Sequence, residues 1–213
     1  PSKKTPPFVG SKSLGIKLIS IENNLVRIIK KKGLDFQKKN FFYYLDKSIT
    51  GLSSLEKIKN LKNKYFKKKL DVMLITSSEN IAWLLNIRGK DSDFSPIPNS
   101  FLLMDRKMNI YLFCDTKKIN SKFKKKLNFI KILEIEFLED FLKKIKNKNV
   151  GIDNLTCSIF YRNIIKKSNK IVETTDPIYL LKSQKNRVEI DNTRKIHEYD
   201  GAALTKFIFW IQN

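Results

Sequence analysis

The sequence is poor in the residues that build most compact catalytic and metal centres. Its 213 residues include two Cys, one His, seven Gly and three Ala. Two cysteines, Cys114 and Cys157, make neither a disulfide framework nor a zinc cluster. A single histidine, His197, excludes a multi-His metal site. With so few glycines, phosphate-cradling loops are poorly supplied, and no GxGxxG, P-loop or GxSxG pattern occurs. No stretch approaches the ~18 apolar residues of a membrane-spanning helix, which excludes such a span, and no signal-peptide pattern opens the chain. Negative charge is also scarce: 21 Asp+Glu face 43 Lys+Arg, a formal net charge of +22.

That surplus invites a nucleic-acid reading. The residues that make it argue otherwise. Lys outnumbers Arg by 37 to 6, whereas nucleic-acid sites favour Arg for bidentate contacts. Lys, Asn and Ile together make 83 residues, and all three have A/T-rich codons, so genome composition accounts for the pattern. The lysine runs (Lys30–Lys32, Lys67–Lys69, Lys124–Lys126, Lys143–Lys144, Lys166–Lys167) are spread along the chain. Most fall near the ends of expected helices, where cations complement the helix dipole. They read as solvated surface. Nucleic acid is not expected as a partner, and salt-sensitive polyanion binding is what remains of that reading.

What is present is a regular alternation of short helices and strands. Pro1 to Ser13 reads as loop, Ile16–Ile19 as a short strand, Asn24–Lys32 as a helix stopped by Gly33, and Asp35–Lys47 as a linker with an aromatic run, Phe41–Tyr44. Ser53 or Ser54 caps a helix with Glu56 at capping-box spacing, and Leu55, Ile58, Leu61, Tyr65 and Phe66 form its apolar face. Val72–Ile75 is a buried strand, and Ser77 or Ser78 caps a second helix. A polar loop, Asn86–Pro98, follows. Ser100–Met104 and Ile110–Cys114 form a hairpin; then come helix 119–127, strand 129–135, helix 138–145, strand 150–152, helix 158–167 and strand 170–172. Pro177 breaks the pattern, and one long helix runs from about Lys185 to the end. The fold class is therefore α/β, a mixed β-sheet flanked by helices. The chain starts at Pro1 and stops inside an apolar helical run, so it reads as a piece of a longer protein.

The Asn86–Pro98 loop is the main candidate for function. Arg88 is suited to clamping a carboxylate through its planar fork, and Asp91 and Asp93 to pairing with it or accepting a peptide amine. The bland alternative is a surface loop held by its own Arg–Asp pairs. Trp83 reads as core packing. Asp71, Asp115, Asp153 and Asp176 read as turn or cap residues, and Glu134 and Glu136 as a strand face or helix cap. His197 reads as a surface or interhelical residue.

Three blocks together carry a family resemblance. The first is Gly51–Ile58, and the second is Ser78–Asp91 with its Ala-Trp-Leu-Leu-Asn-Ile-Arg-Gly core. The third is Leu181–Ile190 followed by Arg194, His197, Asp200-Gly201-Ala202-Ala203-Leu204 and Trp210. Their order and spacing resemble the long, three-domain Xaa-Pro aminopeptidases of the creatinase/prolidase superfamily.

The resemblance implies residues 1–46 as the end of a first N-terminal domain and linker. It implies 47–180 as a creatinase N-terminal-like middle domain, and 181–213 as the first helix of a truncated pita-bread catalytic domain. It implies a parent enzyme that removes the residue preceding proline from peptides with proline at the second position. That enzyme would use two divalent metal ions, manganese or zinc, held by ligands beyond this segment. None of this chain's residues is expected to be catalytic or metal-binding. The segment is expected to limit access to the cleft, with Arg88 first and Asn86, Asp91 and Asp93 beside it as substrate-access residues. Its own catalytic domain, a homodimer partner and a cytoplasmic location complete the expectation. The alternative is a catalytically silent α/β binding module using a basic surface.

Overall fold

The computed structural model describes residues 40–66 and 70–212. The expected strand Ile16–Ile19, the helix Asn24–Lys32, the Pro1–Ser13 loop and the lysines 67–69 lie outside the described residues. The described residues belong to the compact unit Asn40–Asn213.

A six-stranded sheet forms the centre. Its strands are β2 (Val72–Ile75), β4 (Ser100–Asp105), β5 (Ile110–Cys114), β6 (Lys131–Glu134), β7 (Asn149–Ile152) and β8 (Lys170–Glu173), in the order β6-β5-β4-β2-β7-β8. β4 runs antiparallel to β2 and β5, while β5–β6, β2–β7 and β7–β8 are parallel, so the sheet is mixed as expected. The continuous apolar run of β2 has a direct cause. Met73 and Ile75 belong to the core on one face, and Val72 and Leu74 to the core on the other. A strand covered on both faces has no solvent side to be polar.

One face carries α2 (Ser54–Tyr65), α3 (Ser78–Leu85), α4 (Ser121–Lys126) and α7 (Ile178–Ser183), packed through Ile58, Leu61, Ile81, Leu84, Phe123 and Leu181. The other carries α5 (Phe137–Lys144) and α6 (Ile159–Lys166), packed through Leu138, Leu142 and Ile165. Each fully buried Leu or Ile contributes about 1.5–3 kcal/mol relative to exposure. A short helix α1 (Lys47–Thr50) precedes this layer, and α8 (Arg187–Gln212) follows it.

Local signals explain the ends. Ser53 caps α2 and forms the full capping box with Glu56. Asn120 and Ser158 cap α4 and α6 with their side chains. The last turns of α2, α4, α5 and α6 all carry lysines (Lys62 and Lys64, Lys124–Lys126, Lys143 and Lys144, and Lys166), where the dipole favours them.

Four readings change. Leu55, assigned to the buried face of α2, is half exposed, and Lys57 is buried in its place. The described part of the expected linker, from Asn40 onward, is not free of the fold. Phe42 is buried, its N–H donates to the Lys118 carbonyl, and its ring lies 6.2 Å from that of Phe123. Tyr43–Tyr44 (β1) pairs antiparallel with Ile87–Arg88 (β3), which lies inside the expected loop. Pro177 does not simply break the chain: it precedes α7 with helical dihedrals, as proline tolerates at a helix start. Among the described residues no helix is long and apolar enough to cross a membrane.

Candidate functional site

The three sequence blocks that stand apart in the chain meet at one place, where α8 leaves the α/β domain. The local chemistry begins at the C-terminus of α3. Its last carbonyls need donors. Asn86 ends the helix in the left-handed conformation (φ 55°), and its N–H donates to the Ala82 and Trp83 carbonyls. Two cations complete the cap. Lys57 Nζ donates to the Trp83 carbonyl (2.9 Å) and to Asn86 Oδ1 (2.7 Å). Arg88 Nη1 donates to the Ala82 carbonyl (3.1 Å) and to its own neighbour's, Ile87 (2.8 Å).

Lys57 is 1% exposed and forms no salt bridge among the described residues. Its ammonium sits 3.9 Å from the centroid of the Trp83 ring, a cation–π contact made in a desolvated setting. Burial pushes its pKa down to about 8. The Glu189 charge opposes that shift, and the Arg88 charge adds to it. Arg88 is half-buried, and desolvation lowers its pKa as well.

From Trp83 the network crosses to α8. Trp83 Nε1 donates to Glu189 Oε1 at 3.0 Å. Glu189 Oε2 accepts from the Asn186 N–H, and Asn186 Oδ1 accepts from the Glu189 N–H, both at 3.0 Å. This is a capping-box exchange with Asn in the cap position. Asn186 Nδ2 also donates to the Thr50 carbonyl (2.9 Å). Gly51 makes that approach feasible: it holds φ +74°, and a Cβ there would overlap the Asn186 side-chain amide. One turn further on, Asn192 Nδ2 donates to the Ile49 carbonyl. A cavity of about 130 Å³ lies beside the joint, lined by Lys57, Lys64, Trp83, Gln184, Asn186 and Glu189 among others.

The expected access residues divide. Asn86, expected at the access surface, is 1% exposed. Besides Lys57, its side chain serves Thr50 Oγ1 and the Leu52 carbonyl, so every polar atom is committed inside the fold. Arg88 forms no pair with either aspartate among the described residues; α3 holds it instead. Asp91 pairs with Lys118 and accepts from the Asn99 N–H (2.7 Å), which ties the loop to the Thr116–Lys118 turn. Asp93 is exposed at the loop tip, next to a fully exposed Phe94.

Trp83, read as core, is partly buried and bridges two elements. Asp115 and Asp153 accept from the N–H groups of Lys117 and Leu155, two residues on, as turn and cap residues do, whereas Asp71 accepts from the distant N–H of Asn149 at the start of β7 (2.9 Å). Glu134, at the end of β6, accepts from Thr116. Asp176 is more than a turn residue. It is buried, accepts from Asn80 Nδ2 (2.7 Å) and the Ile178 N–H (2.9 Å), and burial raises its pKa. It therefore fastens α7 to α3. His197 is exposed on α8. Cys114 and Cys157 are buried free thiols, pushed up by desolvation to about 12 and about 11. They are correspondingly inert.

Sequence reasoning missed the roles of Lys57, Asn186 and Glu189. For the last two a signal exists: Asn and Glu three residues apart at a helix start is the capping-box spacing. A buried lysine leaves no such mark.

Among the described residues no three His, Cys, Asp or Glu side chains gather closely enough to hold a metal ion. The donor set of the described residues therefore does not fit a two-metal centre.

Comparison with known proteins gives a consistent picture. Residues 36–189 match the creatinase/prolidase N-terminal domain family. Xaa-Pro aminopeptidase 1 of Dictyostelium discoideum is 31% identical over 209 residues, covering 94% of this chain and 33% of the relative. Xaa-Pro aminopeptidase ApepP of Drosophila melanogaster is 29% identical over 202 residues, covering 92% and 33%. The crystal structure of X-prolyl aminopeptidase from Caenorhabditis elegans, described as a cytosolic enzyme with a di-nuclear active site, superposes with a TM-score of 0.78 at 26% identity. That superposition covers 95% of this chain and 34% of the other. The chain thus spans about a third of the length of the relatives it matches.

Proposed function

The chain belongs to the creatinase/prolidase N-terminal domain family, and from that premise we propose that it is the non-catalytic, access-shaping segment of a metal-dependent Xaa-Pro aminopeptidase. The parent would hydrolyse the bond between an N-terminal residue and a following proline. The observation that carries this reading is the superposition on the C. elegans enzyme, which extends over 95% of the chain and so beyond the α/β domain into the long helix.

The two metal ions, manganese or zinc, belong in this proposal to a catalytic domain outside the segment. No chemical step is assigned to the residues described above. Their contribution is exclusion and orientation: a rigid wall that admits short peptides and holds the backbone at the cleft. Arg88 is the first access candidate, with Asp91 and Asp93 on the same loop. Arg88 commits only Nη1 to α3 among the described residues. We place the middle domain at 40–180 rather than from 47, because Phe42 and β1 pack into it. Residues 181–213 begin the catalytic domain. A homodimer and a cytoplasmic location belong to the same proposal.

The test is hydrolysis by the full-length protein. Release of the N-terminal residue from a tripeptide with proline second, lost on chelation and restored by manganese or zinc, supports the reading. Absence of cleavage, together with salt-sensitive binding of a polyanion, overturns it in favour of a binding module.

A further inference from the structure

We propose that the Lys57–Trp83–Glu189–Asn186 network is a positioning device that sets the angle at which α8 leaves the α/β domain, and that the parent's turnover depends on it without any of these residues touching substrate. The inference rests on the aminopeptidase reading for its catalytic consequence, but not for its geometry.

The argument starts from leverage. α8 has 26 residues and no buried one, so at 1.5 Å per residue it extends about 39 Å. Among the described residues, Asn186, just before the helix, and Glu189 and Asn192, in its first turns, bond it to Thr50, Trp83 and Ile49. Over a helix about 39 Å long, each degree of tilt at this joint displaces the far end by about 0.7 Å. Placement errors near 1 Å cost on the order of a hundredfold in rate. The joint must therefore be stiff to a degree or two if anything carried by α8 has to meet anything carried by the α/β domain.

Its construction answers that need. The elements are locked through different chemistry. Trp83 supplies a rigid indole whose N–H fixes one carboxylate oxygen of Glu189. The Asn186 N–H fixes the other, so the carboxylate cannot rotate. Asn186 is in turn seated on the Thr50 carbonyl over Gly51. Lys57 clamps the indole from behind by its ring contact and by the Trp83 carbonyl. A capping box alone would stabilise α8 without orienting it. The crossing bonds to Trp83 and Thr50 are what convert a helix cap into a bearing.

The test uses the full-length enzyme with Trp83→Phe, Glu189→Gln and the double variant. Trp83→Phe keeps the ring and deletes the N–H. Glu189→Gln keeps the shape but can set an amide NH₂ against a donor. Each single variant is expected to lower kcat on the order of tenfold with a smaller change in KM, and the double variant to fall no further than the worse single one. Spin labels on Lys166→Cys and Lys195→Cys, both exposed in this segment, report the angle directly; Cys114 and Cys157 are buried, and accessible cysteines elsewhere in the full-length protein are replaced first. The distance distribution is expected to broaden in the same variants. Lowered melting temperature with unchanged kcat and unchanged distances would overturn the proposal and leave a merely structural cap. If either variant fails to fold, the other still decides. A wild-type protein that cleaves no proline peptide, but whose label distances broaden in the variants, would sink the aminopeptidase reading and keep the bearing.

Discussion

Helices α3 and α8 invite comparison. The first has eight residues and buries five; the second has 26 and buries none. α3 is short enough to be marginal in isolation, so its helicity comes from tertiary contact. α8 is long and amphipathic to all-round apolar, and its Ile196, Tyr199, Leu204, Phe207 and Trp210 are more than half exposed. One helix is fixed along its length by a core, and the other is tied at its first turns by a polar joint. The contrast shows how two kinds of precision are made. Packing fixes position by volume, and a hydrogen-bonded joint fixes direction.

The largest effect should separate the two modes. Leu84→Ala in α3 removes a fully buried side chain and should cost about 2–5 kcal/mol. Ile196→Ala in α8, at a position 62% exposed, should stay within about 0.5 kcal/mol. Chemical denaturation of this 213-residue segment checks both. A loss at Ile196 as large as at Leu84 would show that α8 is held by burial after all.

Next comes the seat of the joint. Gly51→Ala forces a side chain into a positive-φ conformation, at about 1–2 kcal/mol, and displaces the Asn186 cap, at about 1 kcal/mol more. The expected total is about 2–3 kcal/mol, with faster amide exchange at Glu189, whose N–H loses its acceptor. Normal protection at Glu189 would mean that Asn186 reaches Thr50 by another route.

Arg88→Ala tests packing against access. Losing a charged donor from the α3 carbonyls should cost about 1–2 kcal/mol. In the full-length enzyme, peptide hydrolysis is expected to fall more than stability does. A folded variant with wild-type kinetics would remove Arg88 from the access surface and leave it as a helix cap.

Much of this architecture was readable before any coordinates. The Ser53/Glu56 box, the apolar run Val72–Ile75 and the hairpin around Asp105–Asn109 each combine a local preference with a matching tertiary role. Where the two disagree, the sequence misleads. Leu55 looks buried by periodicity, but Lys57 takes the interior because the end of α3 supplies two oxygens that only a donor can satisfy. Asn86 looks like a loop residue because Asn is common in loops. The same tolerance of positive φ makes it a helix terminator here. β1 and β3 are two residues each, too short for any alternation to register. Of the four residues expected at the access surface, Asn86 is buried, Arg88 is half-buried, and Asp91 and Asp93 are exposed as whole residues.

A pH effect follows from Lys57. Its pKa is about 8 in the fold, below the ordinary lysine value of 10.5. Between these values the unfolded chain binds the extra proton, so Lys57 adds stability as pH rises from about 8 towards 10.5 and nothing further above that. Facing it are Glu189 on α8, Arg88 on β3 and Lys64 on its own helix, and only Glu189 favours the charged form. The difference in unfolding free energy between wild type and Lys57→Met should therefore shift in favour of the wild type across that window. A difference that stays flat from pH 7 to 10 would place the ammonium in contact with water and weaken the case for a dry joint.

The smallest effect belongs to the outer part of the access loop, where the ion pair of Asp91 with Lys118 joins the loop to the Thr116–Lys118 turn. Asp91→Asn keeps an oxygen for the Asn99 N–H and removes only the charge that Lys118 meets. The side chains of the pair are largely covered, at 16% and 10% exposure, yet they lie on a rim where water competes. The expected cost is about 1 kcal/mol or less. Exchange at the Asn99 amide should change little, because its acceptor survives. Asp91→Ala, which removes that acceptor too, should loosen the amide clearly. If the two variants behave alike, the ion pair places the loop and the hydrogen bond merely follows. The loop would then rank with α8, as an element aimed by polar contacts rather than set by its surroundings.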